Sequence, residues 1–323
     1  MEKETKRGEG ITIPPLVFLG TPDFAAPSLR YLLEAGAPVR LVITQPDRPS
    51  GRGRRVSQSA VKVLAEQVGI SVYQPERIRG DDIIDHIRSY GAECAIVVAF
   101  GQILPQKFLD AFPLGTLNVH ASLLPRYRGA APIQRAILSG EEVTGVSIML
   151  LDAGMDTGPV LSQARVPIGP EDAFGTIHDR LSETGAMLLL DTFRRWIAGR
   201  IAPVPQDGGL ATYAPPLRKE ELRIQWNLAA KDIINRIRAF DPVPGAFFQL
   251  GARRVKSFRA RAFPIAGTGK PGEVIGISES GLIVAGGDGK PLAVGELQME
   301  GQRRMRADEF TRGRSIPVGT ILE

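Results

Sequence analysis

The sequence predicts an α/β protein of two domains: a Rossmann-like N-terminal domain with a mostly parallel sheet, and a C-terminal β-barrel domain resembling the oligonucleotide-binding (OB) fold. Three observations predict this architecture. Short β-branched runs alternate with amphipathic helical runs in the first part of the chain, a segment rich in proline and glycine follows, and short strand-like runs separated by glycines come last. We place the domains at residues 1–199 and 219–323, with a linker at residues 200–218.

The N-terminal elements are predicted from the spacing of apolar residues. Strands of a parallel sheet are buried on both faces and appear as continuous apolar runs, whereas helices repeat apolar residues every three or four positions. Phe174, Ile177 and Leu181 recur in this way in the longest predicted helix. The predicted strands are residues 16–20, 39–44, 94–100, 117–121 and 146–151, and the predicted helices are residues 25–35, 60–68, 82–90, 132–139 and 173–198.

The C-terminal part begins with one predicted helix, residues 229–239, and continues in short runs broken by glycine and proline. Runs of this length, separated by turn residues, are typical of a small antiparallel barrel. The predicted strands are residues 245–250, 254–262, 273–278, 281–285 and 292–299.

The composition is that of a globular protein, with 43% hydrophobic and 23% charged residues. No apolar run reaches the roughly eighteen residues of a membrane span, and residues 1–10 are charged instead of carrying an apolar signal core. We therefore expect a cytoplasmic protein that does not contact the membrane, and we expect a monomer. The one cysteine, Cys94, lies in an apolar run, which indicates a buried thiol rather than a catalytic one.

The charge of the chain is unevenly placed. The formal net charge is +5, and the excess of Lys and Arg is concentrated from residue 218 onwards. Such asymmetry favours an anionic partner, above all a nucleic acid, although a basic domain can also use its charge for solubility. The run at residues 253–261 interleaves Phe258 with five cations, which fits either a strand face that neutralises phosphates or a charged edge strand in solvent.

A second basic segment follows the second predicted strand. Residues 45–55 include Arg48, Arg52, Arg54 and Arg55, and they contain too much glycine and proline for regular structure. We expect a mobile basic loop. It is either a solvated tip or a clamp for phosphate or nucleic acid.

The candidate chemistry lies where predicted strands end, because open parallel sheets bind ligands at the carboxyl ends of their strands. The first strand leads into Gly20-Thr21-Pro22-Asp23-Phe24, which lacks the three-glycine dinucleotide fingerprint and disfavours a dehydrogenase. Asn118 and His120 close a later strand on one face. An amide beside an imidazole can stabilise an oxyanion and move a proton. A structural histidine is the alternative, but the polar and basic loop at residues 121–129 favours a site.

The strand before Asp152 runs into a glycine-rich loop that also carries Asp156. A carboxylate beside the strand-end cleft can fix the tautomer of His120 and relay a proton, and spacing does not decide between the two acids. Calcium is a poor alternative, because two carboxylates supply too few oxygens and no bidentate Glu closes the loop. No cluster of His, Cys or acids has metal-ligand spacing, so we expect no metal.

Five motifs are distributed along the chain where predicted strands end. They are Gly20-Thr21-Pro22-Asp23-Phe24-Ala25, Thr44-Gln45-Pro46-Asp47-Arg48-Pro49, Phe100-Gly101-Gln102-Ile103-Leu104-Pro105, Asn118-Val119-His120-Ala121-Ser122-Leu123-Leu124-Pro125 and the loop at residues 152–158. Together they closely resemble the methionyl-tRNA formyltransferase family, part of a wider formyltransferase superfamily. The resemblance covers nearly the whole chain, and the arginine-rich loop and the C-terminal barrel favour the tRNA-directed family.

The resemblance implies transfer of a formyl group from 10-formyltetrahydrofolate to the α-amino group of methionyl initiator tRNA, for translation initiation. It also implies that Asn118, His120 and Asp156 are catalytic. The arginines that we expect to bind tRNA are Arg48, Arg52, Arg54 and Arg55, and the resemblance implies that Arg52 reads the tRNA acceptor end. The residues that it implies for the folate site are Ser122, Leu123, Leu124 and Pro125, together with Phe100, Gly101, Gln102, Ile103 and Leu104 as a wall of the pterin pocket.

Two rival functions remain at this stage. One is a sibling formyltransferase that acts on a small amine such as a ribonucleotide or a nucleotide sugar, for which a basic barrel is unnecessary. The other is a non-catalytic RNA-binding protein that keeps the fold as a scaffold; the intact Asn118, His120 and Asp156 set argues against it.

Overall fold

In the computed structural model, the described residues are 12–50, 55–264, 269–313 and 316–323. The chain forms two compact units, and neither is a continuous stretch of sequence. Unit 1 consists of Met1–Arg128, Gly145–Arg165 and Arg180–Thr212, and unit 2 consists of Gly129–Thr144, Val166–Asp179 and Tyr213–Glu323.

The first part of the chain alternates strands and helices, as the apolar pattern predicts. Its strands are β1 (Leu16–Gly20), β2 (Val39–Ile43), β3 (Arg48–Ser50), β4 (Arg55–Ser57), β5 (Val72–Tyr73), β6 (Cys94–Val98), β7 (Thr116–His120), β8 (Arg128–Gly129), β9 (Val143–Leu150) and β10 (Val160–Pro167). Its helices are α1 (Ala26–Glu34), α2 (Ala60–Gln67), α3 (Asp81–Arg88), α4 (Gln106–Leu109), α5 (Pro132–Leu138) and α6 (Phe174–Ile197).

Seven of these strands form one sheet in the order β10-β9-β7-β6-β1-β2-β5. From β7 to β5 all neighbours are parallel, and β9 joins β7 in the antiparallel direction. β1, β6 and β7 are buried along their whole length, because helices cover both faces of a sheet of this kind. The mostly parallel Rossmann-like sheet is thereby confirmed.

β10 and the short elements α4, β5 and β8 were not predicted. In β10 only Leu161 and Val166 are buried, and the other six residues are half-buried or exposed, as expected for a strand at the sheet edge. Polar residues interrupt its apolar ones, so a search for apolar runs misses it. The other three have two to four residues, too few to display a period.

The C-terminal part of the chain forms mostly strands. Its elements are β11 (Tyr213–Ala214), α7 (Ala230–Ala239), β12 (Ala246–Leu250), β13 (Arg253–Ala262), β14 (Val274–Ser278), β15 (Gly281–Ala285), β16 (Pro291–Met299), β17 (Met305–Arg306) and α8 (Ala307–Gly313), and short 3-10 helices lie at Asp23–Ala25, Gly208–Leu210 and Lys219–Leu222.

Unit 2 contains the C-terminal antiparallel sheet, in the order β12-β13-β16-β15-β14 with a further strand, β17, on β16. Each of its five predicted strands lies within one residue of the observed position, and α7 packs on β13. The short β17 and α8 were not predicted.

The basic segment after β2 differs from the irregular loop predicted for it. Its two ends pair as the antiparallel strands β3 and β4, with Arg48 opposite Ser57 and Ser50 opposite Arg55. Pro49 is tolerated because a two-stranded ribbon leaves one edge of each strand unpaired. The tip, residues 51–54, lies outside the described residues. Across the described ranges, no helix combines the length and the apolar character needed to span a bilayer.

Candidate active site

Strand β7 brings the predicted amide and imidazole to one place. Asn118 and His120 stand two residues apart on it and therefore point to the same face. Both are buried, with 8% and 6% of their surface exposed. On β9, Met149 pairs with Asn118 and Ser147 pairs with His120, so both neighbouring strands fix the end of β7.

The two ring nitrogens of His120 have different surroundings. Nε2 donates a hydrogen bond to the carbonyl oxygen of Tyr127 at 3.0 Å, because a carbonyl can only accept. Nδ1 lies 3.6 Å from Oδ1 of Asp156, which is slightly too far for a direct hydrogen bond. The bond to Tyr127 therefore places a proton on Nε2. Nδ1 is the nitrogen that faces the carboxylate and can exchange a proton with it or with a bound molecule.

The loop at residues 152–158 uses its two carboxylates differently. Asp152 is exposed, and its Oδ1 accepts hydrogen bonds from the backbone of Gly154 at 3.1 Å and from Oγ1 of Thr157 at 2.7 Å. Asp156 is the acid whose carboxylate faces His120, with 17% of its side chain exposed. Geometry thus separates two acids that spacing leaves equivalent, and Asp152 shapes the loop.

Two residues that contact His120 have left-handed backbones. Tyr127 has a φ of 59° and Asp156 a φ of 54°, a region that residues with a Cβ rarely adopt. In Tyr127 this conformation accompanies the carbonyl bond to Nε2 of His120. Strained backbone of this kind clusters at functional sites, where the surrounding structure holds it in place.

The loop after His120 is held by Ser147 of β9. Its Oγ donates to the carbonyl of Ser122 at 2.7 Å and accepts from the backbone nitrogen of Leu124 at 3.0 Å and from Nε2 of Gln163 at 2.8 Å. One donor and two lone pairs are all that a hydroxyl has, so Ser147 is fully used. Gln163 also donates to the carbonyl of Leu124 at 2.8 Å. Neither Ser147 nor Gln163 was predicted from the sequence.

Within the predicted folate segment at residues 122–125, the side chains face different ways. Ser122 and Leu124 are buried, and Oγ of Ser122 donates to the carbonyl of Arg126 inside the same loop. Leu123 and Pro125 are half-buried. A Cβ on Gly145 would lie 2.5 Å from Leu123, so the absence of a side chain there lets Leu123 sit against β9.

The predicted pterin wall at residues 100–104 is divided in the same manner. Phe100 and Leu104 belong to the hydrophobic core, whereas Gly101 and Ile103 are exposed, Ile103 by 86%. Oε1 of Gln102 accepts a hydrogen bond from the backbone of Ile78 at 3.0 Å. Gly101 and Ile103 are thus the residues of this segment that are exposed, and Gln102 is half-buried.

Of the four predicted tRNA-binding arginines, Arg48 is exposed at the start of β3. Arg55 lies on β4, and only its backbone is described; Arg52 and Arg54 lie outside the described residues. The base of this hairpin, β3 and β4, is anchored through Asp47, which receives Nζ of Lys62 at 2.5 Å and Nε2 of Gln74 at 2.9 Å. These bonds, that from Lys62 foremost, lower the pKa of the Asp47 carboxyl.

The other two histidines and the cysteine lie on other elements of the chain. His86 belongs to α3 and His178 to α6. Cys94 is buried in β6, and the desolvation raises the pKa of its thiol. In the described ranges, no group of three or more His, Cys, Asp or Glu side chains is arranged to hold a metal ion.

Gln206 is a residue of the site that the sequence did not predict. It stands in the segment predicted to be a linker, yet residues up to Thr212 belong to unit 1. Its Nε2 donates to the carbonyls of Asp156 at 2.9 Å and Gly158 at 2.7 Å. No spacing rule assigns an isolated Gln in a proline-rich segment to a site.

Comparison with known proteins shows which family models and which relatives match this chain. The family model described as formyl transferase matches residues 16–193, and the one described as formyl transferase, C-terminal domain, matches residues 216–315. The methionyl-tRNA formyltransferase of Symbiobacterium thermophilum is 47% identical over 307 residues, which are 94% of this chain and 94% of that protein. The methionyl-tRNA formyltransferase of Citrifermentans bemidjiense is 45% identical over 307 residues, covering 95% of this chain and 96% of that protein.

A solved structure shares the fold at low identity. The N-formyltransferase from Helicobacter canadensis, in complex with folinic acid and dTDP-3-aminofucose, superposes with a TM-score of 0.65 at 20% identity. The match covers 88% of this chain and 99% of that one.

Proposed function

Because this chain belongs to the formyltransferase family, we propose that it transfers the formyl group of 10-formyltetrahydrofolate to the α-amino group of methionyl initiator tRNA. The product is N-formylmethionyl-tRNA, which enters translation initiation. Two observations carry the chemistry: Asp156 lies 3.6 Å from Nδ1 of His120, and Asn118 shares a strand face with His120. The names of relatives that match along nearly the whole chain support the choice of substrate.

The reaction needs a stabilised oxyanion and a proton transfer. The free α-amine attacks the formyl carbon, a new C–N bond forms, and the carbonyl oxygen takes the negative charge. Asn118 donates a hydrogen bond to that oxygen from the end of β7. Removing one donor of this type costs about 3–4 kcal/mol in well-studied oxyanion sites.

The bond between Nε2 of His120 and the Tyr127 carbonyl decides which nitrogen reacts. Since Nε2 is engaged with the backbone, Nδ1 of the protonated imidazole is the nitrogen that donates to the oxyanion. Asp156, 3.6 Å from Nδ1, favours the charged imidazole during the reaction. The gap also admits a water that carries the proton from the attacking amine to N10 of the folate, where the old C–N bond breaks.

Each substrate has a proposed place on the chain. The folate lies against residues 100–104 and 122–125, where outward-facing backbone groups of Gly101 and the half-buried Leu123 offer contacts to a flat ring. The tRNA contacts Arg48, Arg52, Arg54 and Arg55 of the hairpin and the basic C-terminal region, through its phosphates.

The same proposal includes the roles of the two domains, the oligomeric state and the location in the cell. We assign catalysis to residues 1–199 and tRNA binding to residues 219–323, joined by residues 200–218; these boundaries stay a prediction. The protein acts as a monomer in the cytoplasm, where charged tRNA and folate meet. Light scattering of the purified chain tests the oligomeric state.

The function is tested by offering three acceptors with formyl-labelled 10-formyltetrahydrofolate. We expect label in methionyl initiator tRNA, much less in elongator methionyl-tRNA, and none in glycinamide ribonucleotide. Label in the ribonucleotide or in an amino sugar nucleotide, with none in tRNA, would overturn the assignment. His120→Ala serves as the control and should abolish the transfer.

A further inference from the structure

The side chain of Gln206 joins an arginine to the loop that carries Asp156. Its Oε1 accepts two hydrogen bonds from Arg128, from Nε at 3.0 Å and from Nη2 at 2.8 Å. Its Nε2 donates to the carbonyl oxygens of Asp156 at 2.9 Å and Gly158 at 2.7 Å. One amide therefore uses both of its ends, and all four residues belong to unit 1.

We propose that Gln206 is a positioning residue for proton transfer: it holds the loop at residues 156–158 so that the carboxylate of Asp156 faces His120. The proposal rests on the proposed formyl transfer and deepens it. Gln206 itself does not touch the reacting atoms. Its effect is transmitted through the backbone of Asp156.

Arg128 determines how the Gln206 amide is oriented. A guanidinium has donors only, so it accepts no bond from the NH₂ end of an amide. The rotamer that places Oε1 against Arg128 therefore places Nε2 against the loop. Arg128 is itself buried, with 6% of its surface exposed, so it holds this orientation firmly.

The loop needs such support because its backbone is under strain. Asp156 has a left-handed φ of 54°, which an ordinary side chain rarely adopts without help from its surroundings. Gly158 is pressed against β9, and a Cβ there would lie 1.9 Å from the carbonyl oxygen of Leu150. By bonding the carbonyls on both sides of Thr157, Gln206 fixes the peptide planes that set the direction of the Asp156 side chain.

The contacts close a ring around His120. Nε2 of His120 bonds the carbonyl of Tyr127, and Arg128 follows Tyr127 along the chain. Arg128 bonds Gln206, Gln206 bonds the backbone of Asp156, and Asp156 faces Nδ1 of His120. Both neighbours of the imidazole are thus set by one connected group of residues.

Two variants separate this role from a merely structural one. Gln206→Glu keeps an acceptor for Arg128 but loses both donors to the loop, and Gln206→Ala loses all four bonds without adding charge. In both we expect kcat for labelled transfer to fall roughly 10- to 100-fold, the range for a small misplacement at a reacting centre, while KM for 10-formyltetrahydrofolate stays within about twofold.

A spectroscopic measurement reads the same contact without any substrate. His120 is one of three histidines, so its ring nitrogens are resolved by ¹⁵N NMR of the free protein. The Nδ1 resonance should shift in both variants, because the carboxylate next to it moves. The matched control is Gln74→Ala. Gln74 also uses both ends of its amide, donating to the carbonyl of Gln45 and to Asp47 while accepting from Lys62, and its loss should leave that resonance in place.

The outcomes are distinguishable from failure of the proposed function. If the wild-type protein formylates no tRNA, the function fails, and the NMR result still reports on the contact. If wild type is active but either variant keeps wild-type kcat, or loses activity through KM alone, or leaves the Nδ1 resonance unchanged, Gln206 does not position Asp156. Unfolding of both variants, seen by circular dichroism, would make Gln206 a stabilising residue and would also overturn the proposal.

Discussion

Replacing Asp156 by Asn removes the charge that faces His120 while leaving the side chain almost the same size. The carboxylate oxygen lies 3.6 Å from Nδ1, and only 7% of the histidine and 17% of the aspartate side chain are exposed. At this separation two unit charges attract each other by about 4–5 kcal/mol when the effective dielectric constant is about 20. This is the largest electrostatic contact that we assign to the catalytic step.

The expected loss of rate follows from that energy. About 1.4 kcal/mol corresponds to a factor of ten, so the full interaction is worth roughly a thousandfold in kcat if it acts only in the transition state. Folate binding does not depend on this charge, and KM for 10-formyltetrahydrofolate should change less than about threefold. Single-turnover transfer of labelled formyl to methionyl initiator tRNA measures the chemical step directly.

Asp152→Asn is the matched control for Asp156→Asn. The Asn Oδ1 can still accept the bonds from Gly154 and Thr157, so the loop keeps its shape although it loses one charge. We expect near wild-type turnover for this variant. If Asp156→Asn retained a tenth or more of wild-type kcat, or if both variants lost activity equally, the electrostatic role of Asp156 would be refuted.

Three further predictions concern backbone, stability and tRNA. Gly158→Ala forces a Cβ against the Leu150 carbonyl and should cost about 1–3 kcal/mol of stability and most of kcat. A Cβ on Gly208 meets only open space, so Gly208→Ala is the control and should be neutral in thermal unfolding and in turnover. Glu221 accepts two hydrogen bonds from Arg135, at 2.5 and 3.1 Å, and these bonds lower the pKa of its carboxyl below the ordinary 4.5. The ion pair therefore stabilises the fold fully above pH 4.5, and this stabilisation is lost as the pH falls through the folded-state pKa. The Tm of Glu221→Gln should be lower than that of wild type at pH 7, and the difference should shrink in acid. Because phosphate contacts release counterions, KM for methionyl-tRNA should rise steeply with salt while KM for folate does not, and equal responses would contradict phosphate binding.

The elements that the sequence predicted are those whose burial gives a recognisable pattern of apolar residues. β1, β6 and β7 are buried on both faces and appear as apolar runs, and the five C-terminal strands are bounded by glycine and proline. The strand β10 was missed because it lies at the sheet edge, where Ser162, Gln163 and Arg165 interrupt its apolar residues. The hairpin of β3 and β4 was missed because cross-strand pairing in a segment of this composition leaves no apolar pattern.

For the site, the sequence predicted that Asn118 and His120 lie side by side, since residues two apart on a strand share a face. Choosing between Asp152 and Asp156 needed coordinates, because both acids lie in one irregular loop and hydrogen bonds within it decide their roles. Gln206 was beyond sequence reasoning altogether. Its contacts with residues 128, 156 and 158 depend on how distant segments fold back, and an amide has no pattern of its own.

A structure of the protein with a stable analogue of 10-formyltetrahydrofolate measures the central geometry most directly. We predict that the formyl oxygen lies within hydrogen-bonding distance, about 2.7–3.1 Å, of the Asn118 amide and near Nδ1 of His120, with Nε2 still bonded to Tyr127. A formyl group bound elsewhere, or one that reaches neither side chain, would contradict the account.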